Sequence, residues 1–233
     1  MAIAIVLSGG TGTRMGLNIP KQYVLVNDMP ILHYSLKTFL ENDRIEKLVI
    51  CCATEWIDYV EQYLKKLNFN KSIIYSEPGE TRQLTIYNAL NKIQDISKDD
   101  EIIIIHDGAR PLLTHDLINR CLDGCAEFDA VLPVIRMKDT IYLSEDGCHI
   151  KSLIDRNHLF AGQAPEAFKY RKYLNIHKSI SHDDLLKING STEIAYKCGL
   201  NVTMIKGDEM NFKITTPEDL ESFKTIIKEK SQL

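Results

Sequence analysis

Short apolar runs of strand length recur along the first half of the chain. They cover residues 2–7, 47–53, 72–75 and 101–105. Between them the apolar residues follow helical spacing, as in Ile57, Val60, Leu64 and Leu67. Strands that alternate with helices in this way predict βαβ units and a mainly parallel sheet. Because the strands are continuous runs of Ile, Val and Leu, we expect helices to cover both faces of the sheet.

Three sites carry residues that often start helices. Asp28 stands ahead of Pro30, and Thr54 precedes an acidic first turn. Thr216 is followed by Pro217 and then by two acidic residues. These patterns predict a helix directly after each site.

The pattern changes after the apolar run at residues 131–134. Residues 140–143 and 149–154 alternate with period two on either side of a turn at residues 144–147, which predicts a β-hairpin. The hairpin and its flanks, about residues 136–157, form either an extra edge ribbon or an arm that packs on a second subunit. We find no internal repeat or linker, so we expect one Rossmann-like, three-layer α/β domain over residues 1–233 with this arm inserted.

The composition narrows the range of partners. The net charge of −4 comes from interspersed acids and bases without a basic tract, so neither nucleic acid nor an anionic membrane is predicted as a partner. The first apolar run is too short to span a membrane and lacks the preceding charged region of a signal peptide, so we expect a cytoplasmic protein. Six cysteines without a CxxC pair, and seven histidines without an HExxH pair, indicate reduced thiols and no zinc site.

A glycine-rich segment follows the first strand. It reads Ser8-Gly9-Gly10-Thr11-Gly12-Thr13-Arg14-Met15-Gly16. Glycine lets the backbone approach a phosphate closely and present its N–H groups. Met15 stands where the dinucleotide fingerprint requires glycine, and no Gly-Lys-Ser/Thr of a P-loop is present. What remains is a phosphate-binding turn with two nearby cations, Arg14 and Lys21.

These residues, together with Pro20-Lys21-Gln22, resemble the signature of nucleotidyltransferases that join a nucleoside triphosphate to a sugar or polyol phosphate. Within that group the sequence is most similar to the cytidylyltransferases acting on 2-C-methyl-D-erythritol 4-phosphate and on D-ribitol 5-phosphate. Four further motifs follow in the same order: Gly79-Glu80-Thr81-Arg82 with Thr85, residues 106–111, residues 155–157, and residues 211–215.

The resemblance implies CTP as one substrate and assigns residues to it. Arg14 and Lys21 would carry the transition-state charge, with the turn around the triphosphate. Cytosine and ribose would be read by the second motif. The implied nucleotide-binding residues are Ser8, Gly9, Gly10, Gly12, Thr13, Gly79, Glu80, Arg82, Thr85 and Gly108.

The resemblance also implies Mg²⁺ and an acceptor site. Asp107 follows a strand, where by itself it fits a turn or a helix cap as well as a metal site. The family assigns it to Mg²⁺ and to catalysis. The acceptor phosphate would be bound by Arg110, Thr140, Arg156 and Lys213, of which Lys213 also counts as catalytic. Thr140 and Arg156 flank the arm and would reach the neighbouring subunit's site, which implies a homodimer.

Several positions depart from the family pattern. Pro78 replaces a usual glycine, 164–166 reads Ala-Pro-Glu for Thr-Pro-Gln, 190–192 reads Gly-Ser-Thr for Thr-Asp-Glu, and Met210 replaces an acid. We expect the altered residues to lie near the acceptor, with Asp208 or Glu209 as a replacement for the missing acid. The Gly-Gln at 162–163 and the Lys-Ile-Thr-Thr at 213–216 favour ribitol 5-phosphate as acceptor. The alternatives are methylerythritol phosphate, a UTP- or GTP-dependent hexose enzyme, and a non-catalytic nucleotide-binding regulator.

Overall fold

Strands and helices alternate through the first part of the chain in the computed structural model, which describes residues 1–10 and 19–230. The strands are β1 (Ala2–Leu7), β2 (Leu25–Val26), β3 (Met29–Pro30), β4 (Ile45–Cys51), β5 (Ser72–Ser76), β6 (Ile102–Asp107), β7 (Ala130–Arg136), β8 (Ile141–Leu143), β9 (Ser152–Ile154), β10 (Phe160–Gly162), β11 (Glu166–Lys169) and β12 (Val202–Lys206). The α-helices are α1 (Ile31–Glu41), α2 (Ile57–Leu64), α3 (Arg82–Lys92), α4 (His115–Gly124), α5 (Tyr170–Ser179), α6 (His182–Leu186), α7 (Ser191–Lys197) and α8 (Pro217–Lys230). Short 3-10 helices cover Lys21–Tyr23, Thr54–Trp56 and Arg156–His158.

The main sheet has eight strands. Seven of them follow the order β10-β7-β11-β6-β1-β4-β5, and the eighth, β12, also pairs with β7. Four pairings are parallel: β1 with β4, β1 with β6, β4 with β5, and β7 with β12. This arrangement confirms the predicted α/β class and the mainly parallel sheet. The antiparallel strands β10 and β11 were not anticipated, and β11 lies between β6 and β7.

Buried apolar side chains form one layer on each face of the sheet. Along β1, Ala2, Ala4 and Val6 point to the layer covered by α1, α2 and α4, whereas Ile3 and Ile5 point to the layer covered by α3, α5 and α7. Full burial of an Ile side chain stabilises the fold by about 1.5–3 kcal/mol. The prediction of helices on both faces is therefore confirmed.

Two of the three predicted helix starts are wrong in detail. Asn27 and Asp28 have φ angles of 47° and 59°, so they form the turn between β2 and β3, and Pro30 directly precedes α1. Thr54 opens a 3-10 turn, and α2 begins three residues later. The third prediction is confirmed, because the Asp219 carboxylate accepts the N–H groups of Thr215 and Thr216 at the start of α8.

The predicted hairpin exists as a two-stranded sheet of its own, formed by β8 and β9. We call residues 136–157 the arm. Its second strand is shorter than predicted, because the Asp146 carboxylate accepts the N–H groups of Cys148 and His149 and keeps that segment in the turn. Tyr142, Ile150 and Leu153 remain more than half exposed, at 55%, 67% and 66%.

Two further expectations concern the environment of the chain. All six cysteines, which lie within the described residues, are free. Within residues 1–10 and 19–230, every helix is too short or too polar to cross a membrane.

Candidate active site

The carboxyl ends of three parallel strands meet at one edge of the sheet. Leu7 at the end of β1 is aligned with Asp107 on β6 and with Cys51 on β4. The backbone continues these ladders for one residue, since Ser8 N–H bonds to the Cys51 carbonyl at 2.9 Å and Gly108 N–H to the Leu7 carbonyl at 2.8 Å. The glycine-rich segment and the Asp107 loop therefore begin side by side, at the edge where α/β sheets bind ligands.

The glycine-rich segment packs directly against the loop that precedes α3. A Cβ atom on Gly9 would lie 2.3 Å from Cβ of Pro78, so only glycine fits this contact. The structure thus brings together two predicted nucleotide motifs that lie far apart in the sequence. Ser8, Gly9 and Gly10 are described; the predicted site residues Gly12, Thr13 and Arg14 lie outside the described residues.

Gln22 is the side chain that holds this turn, and sequence reasoning missed its role. Its Nε2 donates to the carbonyl oxygens of Ser8 and Gly10 at 2.5 and 2.8 Å. The Tyr23 hydroxyl also donates to the Ser8 carbonyl, at 3.1 Å, and burial raises the Tyr23 pKa so that the phenol stays a donor. Lys21 precedes these two anchors in the same short helix and is therefore held beside the turn.

The second nucleotide motif forms a loop stabilised by its own side chains. Thr81 accepts the N–H of Leu84 at 3.2 Å and caps α3. The Thr85 hydroxyl accepts the N–H of Gly79 and donates to the Thr81 carbonyl, both at 2.9 Å. Glu80 is exposed at the tip. Thr85 therefore shapes the loop, and its predicted contact with the nucleoside stays a prediction.

Asp107 lies at the centre of a cluster of cations. Its Oδ1 is 3.3 Å from Nε of Arg82, and its Oδ2 is 3.4 Å from Nε of Arg110 and 3.0 Å from Nζ of Lys213. We call these four residues, with Glu166, the Asp107 cluster. Burial raises the Asp107 pKa, but the charges of Arg82, Lys213 and Arg110 outweigh it and hold the pKa far below its usual range. Asp107 is therefore a permanent carboxylate.

Glu166 is the second acid of the cluster and was noted in the sequence only as a departure from the family pattern. Its Oε1 is 3.2 Å from Nη2 of Arg82, and its Oε2 accepts from the N–H and hydroxyl of Thr192. No sequence signal places β11 beside α3 and α7. The altered residues at 166 and 190–192 thus meet at Arg82, a residue that the resemblance assigned to the nucleotide.

The loop that carries Lys213 is fixed by hydrogen bonds to its neighbours. Gln163 and Asp208 form a reciprocal pair, in which Gln163 Nε2 donates to the Asp208 carbonyl at 2.9 Å and Asp208 N–H donates to Gln163 Oε1 at 3.0 Å. Asn211 Nδ2 donates to the Ala164 carbonyl at 2.6 Å, and the backbone carbonyl of Asn211 accepts from Nη1 of Arg110 at 2.8 Å. These contacts place Lys213 against Asp107.

Neither candidate for the missing acid contacts Asp107 in the described part of the chain. The Asp208 carboxylate accepts the N–H of Met210 at 2.9 Å, and Glu209 pairs with Lys138 at the base of the arm. Met210 itself is 51% exposed. The predicted replacement of the acid by Asp208 or Glu209 is therefore not seen in this arrangement.

Thr140 and Arg156 lie on the arm and are exposed. The Arg156 guanidinium donates to the Lys138 carbonyl. Among the residues that the structure describes, no hydrogen bond or ion pair links Thr140 or Arg156 to the Asp107 cluster. Their predicted role at a neighbouring subunit's site stays a prediction.

A similar fold occurs in a solved 4-diphosphocytidyl-2C-methyl-D-erythritol synthase from Anaerococcus prevotii. The likeness has a TM-score of 0.82 and 21% identity, and it covers 98% of this chain and 96% of that one. The likeness shows a shared Rossmann-like α/β fold.

The chain belongs to the IspD family, described as 2-C-methyl-D-erythritol 4-phosphate cytidylyltransferase, whose family model matches residues 2–229. It is 37% identical over 226 residues to the 2-C-methyl-D-erythritol 4-phosphate cytidylyltransferase of Clostridium novyi, covering 96% of this chain and 95% of the relative. It is 32% identical over 228 residues to the ribitol-5-phosphate cytidylyltransferase of Vibrio parahaemolyticus, covering 97% and 96%. The family uses CTP and a sugar-alcohol phosphate, and both acceptors occur among the names of its members.

Proposed function

We propose that this protein transfers CMP from CTP to D-ribitol 5-phosphate, which releases pyrophosphate and supplies a CDP-polyol for a wall or capsule polymer. The observation that carries cytidylyl transfer is the Asp107 cluster at the carboxyl edge of the sheet, directly beside the glycine turn. A buried carboxylate among three cations, next to backbone donors, is suited to bind a triphosphate and a phosphate nucleophile together.

In this reaction the acceptor's phosphate oxygen attacks the α-phosphorus of CTP, and pyrophosphate leaves from the opposite side. A phosphate monoester has a second pKa near about 6, so it is mostly dianionic at neutral pH and needs no general base. The barrier lies in bringing two anions together. Arg14 and Lys21 would stabilise the triphosphate charge, and Arg110 and Lys213 would orient the acceptor phosphate. Asp107 cannot serve as a proton donor, because its neighbours keep it ionised.

Mg²⁺ fits the site as an ion that arrives with the triphosphate. Among residues 1–10 and 19–230, no three His, Cys, Asp or Glu side chains are grouped to hold a metal. Mg²⁺ in nucleotide sites takes one or two carboxylates and completes its shell with phosphate oxygens and water. Asp107 is the carboxylate that would hold it. When bound, the ion would neutralise phosphate charge beside Asp107.

The choice of ribitol 5-phosphate rests on the loop near Lys213. Gln163 is 5% exposed, and its side chain forms two hydrogen bonds with the backbone of Asp208. The Gly-Gln sequence therefore positions the segment that leads to Lys213. The same Gly-Gln and Lys-Ile-Thr-Thr sequences favour the ribitol branch of the family. Methylerythritol phosphate is the second candidate acceptor, supported by the family description and by the 37% identity to the Clostridium enzyme.

The proposal includes a cytoplasmic homodimer that forms through the arm. The support is the exposure of Tyr142, Ile150 and Leu153, which together place an apolar surface on a hairpin that the other described residues leave uncovered. Thr140 and Arg156 would then reach the partner's acceptor phosphate. No role for nucleic acid or a membrane is proposed.

The experiment is a matrix of pyrophosphate-release assays. Four triphosphates are each combined with ribitol 5-phosphate, methylerythritol 4-phosphate and several sugar phosphates, with and without Mg²⁺. The expected result is activity with CTP and ribitol 5-phosphate that depends on the metal. Activity with methylerythritol 4-phosphate instead would select the second candidate. Turnover with UTP or GTP and a hexose phosphate alone would overturn the proposal.

A further inference from the structure

The Arg82 guanidinium is engaged by the protein at all three of its nitrogens. Nε faces Asp107 Oδ1 at 3.3 Å, Nη2 faces Glu166 Oε1 at 3.2 Å, and Nη1 donates to the Ser191 hydroxyl. These partners belong to the end of β6, to β11 and to the start of α7. Arg82 therefore connects three elements, and its planar fork fixes their relative orientation.

Glu166 holds this guanidinium at Nη2, a different nitrogen from the Nε that faces Asp107. Its side chain is 8% exposed, and its second oxygen accepts from Thr192 N–H at 2.9 Å and from the Thr192 hydroxyl at 2.5 Å. A buried carboxylate is tolerated only when its oxygens are paired, and both oxygens of Glu166 are. The contacts form a chain from Thr192 through Glu166 and Arg82 to Asp107.

We propose that Glu166 is a positioning residue for cytidylyl transfer: it fixes Arg82, and through Arg82 it sets the orientation of the Asp107 carboxylate. The inference rests on the proposed function, in which Asp107 faces the triphosphate. It assigns to Arg82 a role as the bridge between two acids rather than as a reader of the nucleoside. Strand β11, which pairs antiparallel with β6, places Glu166 opposite Ile105 near the end of β6.

The charges of the cluster give the proposal a distinctive kinetic signature. Arg82, Arg110 and Lys213 face the carboxylates of Asp107 and Glu166. Glu166→Gln removes one negative charge, so the site becomes more positive and its attraction for CTP is maintained or increased. The same change weakens the contact at Nη2 of Arg82, so the Arg82 guanidinium and the Asp107 carboxylate are held less firmly in place. Turnover should fall while the KM for CTP does not rise, whereas loss of a nucleotide contact would raise that KM.

The first test compares steady-state kinetics of the full chain with those of single variants. For Glu166→Gln we expect kcat to fall about 10- to 100-fold, the usual cost of losing a partner that orients a functional group, with an unchanged or lower KM for CTP. Glu166→Asp keeps the charge and should retain an intermediate kcat. The matched control is Glu193→Gln on α7, where the acid contacts Lys197 and nearby backbone instead of Arg82. An unchanged kcat for Glu166→Gln, or a raised KM for CTP alone, would overturn the proposal.

Thr192 provides a milder pair of variants in case Glu166→Gln does not fold. Thr192→Val removes the hydroxyl donor to Glu166 and leaves the N–H donor in place. We expect a smaller fall in kcat in the same direction, and restoration by Thr192→Ser. Equal kcat values in the Val and Ser variants would count against Glu166 as a positioning residue.

The second test measures geometry without turnover. In a ¹⁵N spectrum of the substrate-free protein, the Nε–H signal of Arg82 is identified by its disappearance in Arg82→Lys. We expect slow exchange of this proton with water in the wild type and in Glu193→Gln, and faster exchange in Glu166→Gln. Because no substrate is present, a protein inactive with every tested triphosphate would refute the proposed function but leave this result informative. Unchanged exchange in Glu166→Gln would overturn the inference.

Discussion

The Asp107 cluster and the arm differ in which side chains they bury: the cluster buries charged side chains, and the arm exposes apolar ones. In the cluster, the two acids are buried, and Asp107 and Arg82 are held by partners from several elements; the Asp107 and Glu166 side chains are 12% and 8% exposed. In the arm, large apolar side chains are exposed, and some charged ones pair within the arm, as Lys151 does with Glu145. The described residues of one chain supply the contacts of the cluster, whereas they leave the apolar side chains of the arm exposed.

This difference predicts which properties substitutions in each region should alter. Substitutions in the cluster should alter chemistry and stability of the single chain, because every partner is already present. Substitutions in the arm should leave the fold intact and alter assembly or the acceptor. The predictions below test that division, beginning with the largest expected effect.

Asp107→Asn should produce the strongest defect. The change leaves Arg82, Arg110 and Lys213 without their shared counter-charge, so we expect kcat to fall by about 10²–10³-fold and the free energy of unfolding to fall by about 3 kcal/mol. Pyrophosphate release and urea denaturation measure the two effects. Asp116→Asn is the control, since Asp116 is 76% exposed and pairs with Arg120 on α4, away from the Asp107 cluster. Wild-type turnover in Asp107→Asn would remove Asp107 from the catalytic site.

Arg14→Ala and Lys21→Ala test the nucleotide side of the same site. Each variant loses a cation proposed for the transition-state charge, so we expect kcat to fall by about 10²–10³-fold. Lys65→Ala, at the exposed end of α2, serves as the control for loss of a surface charge. Normal turnover in both Arg14→Ala and Lys21→Ala would show that this assignment is wrong.

Leu153→Glu tests the arm. If the exposed Leu153 is buried in a homodimer, placing a carboxylate there should raise the dimer dissociation constant by about 10- to 100-fold, because burial of a Leu contributes about 1.5–3 kcal/mol. Analytical ultracentrifugation measures the constant. Leu186→Glu, at a 38% exposed leucine on α6, is the matched control. A wild-type chain that stays monomeric at high concentration would contradict the predicted dimer.

Arg156→Ala should separate the two substrates. Because Arg156 is proposed to bind the acceptor's phosphate, we expect the KM for ribitol 5-phosphate to rise about tenfold, the loss of one charge-assisted hydrogen bond, while the KM for CTP is unchanged. Arg171→Ala, at an exposed arginine paired with Asp99, is the control. Equal changes in both KM values would argue against an acceptor contact.

The remaining prediction concerns the pH dependence of stability. Burial lowers the pKa of His33, His106 and His177 to about 4, below the unfolded value of about 6.5. Their contribution to stability is therefore complete above pH 6.5 and is lost as pH falls toward 4, by at most about 1.4 kcal/mol per pH unit for each histidine. Urea denaturation at several pH values measures the slope.

The matched variants for the pH effect come from the two regions. His177→Gln should flatten the slope, because this side chain is 1% exposed in the folded protein. His158→Gln on the arm should not, since that imidazole is 86% exposed. Identical slopes in the two variants would show that buried histidines do not govern the acid sensitivity.

The sequence predicted the parallel half of the sheet well because continuous Ile and Val runs have few alternatives to a buried strand. Residues 2–7 match β1 in full. It failed at β11, where four residues after a proline give no periodicity, and at Asp28, where a turn competes with a helix cap. Asp107 and Lys213, which separate motifs assign to one site, lie 3.0 Å apart in the structure. Glu166 and Gln22 could not be assigned, because their partners are set by tertiary packing rather than by spacing along the chain.

The path of the chain around β7 joins the two regions. The arm departs from the end of β7, returns through β10 on the same strand, and continues directly into β11, which carries Glu166. Both ends of the arm are thus attached to β7, and the chain that follows the arm leads to Glu166, which contacts Arg82. A molecule that binds the arm would therefore contact a segment that continues along the chain to Glu166 in the Asp107 cluster.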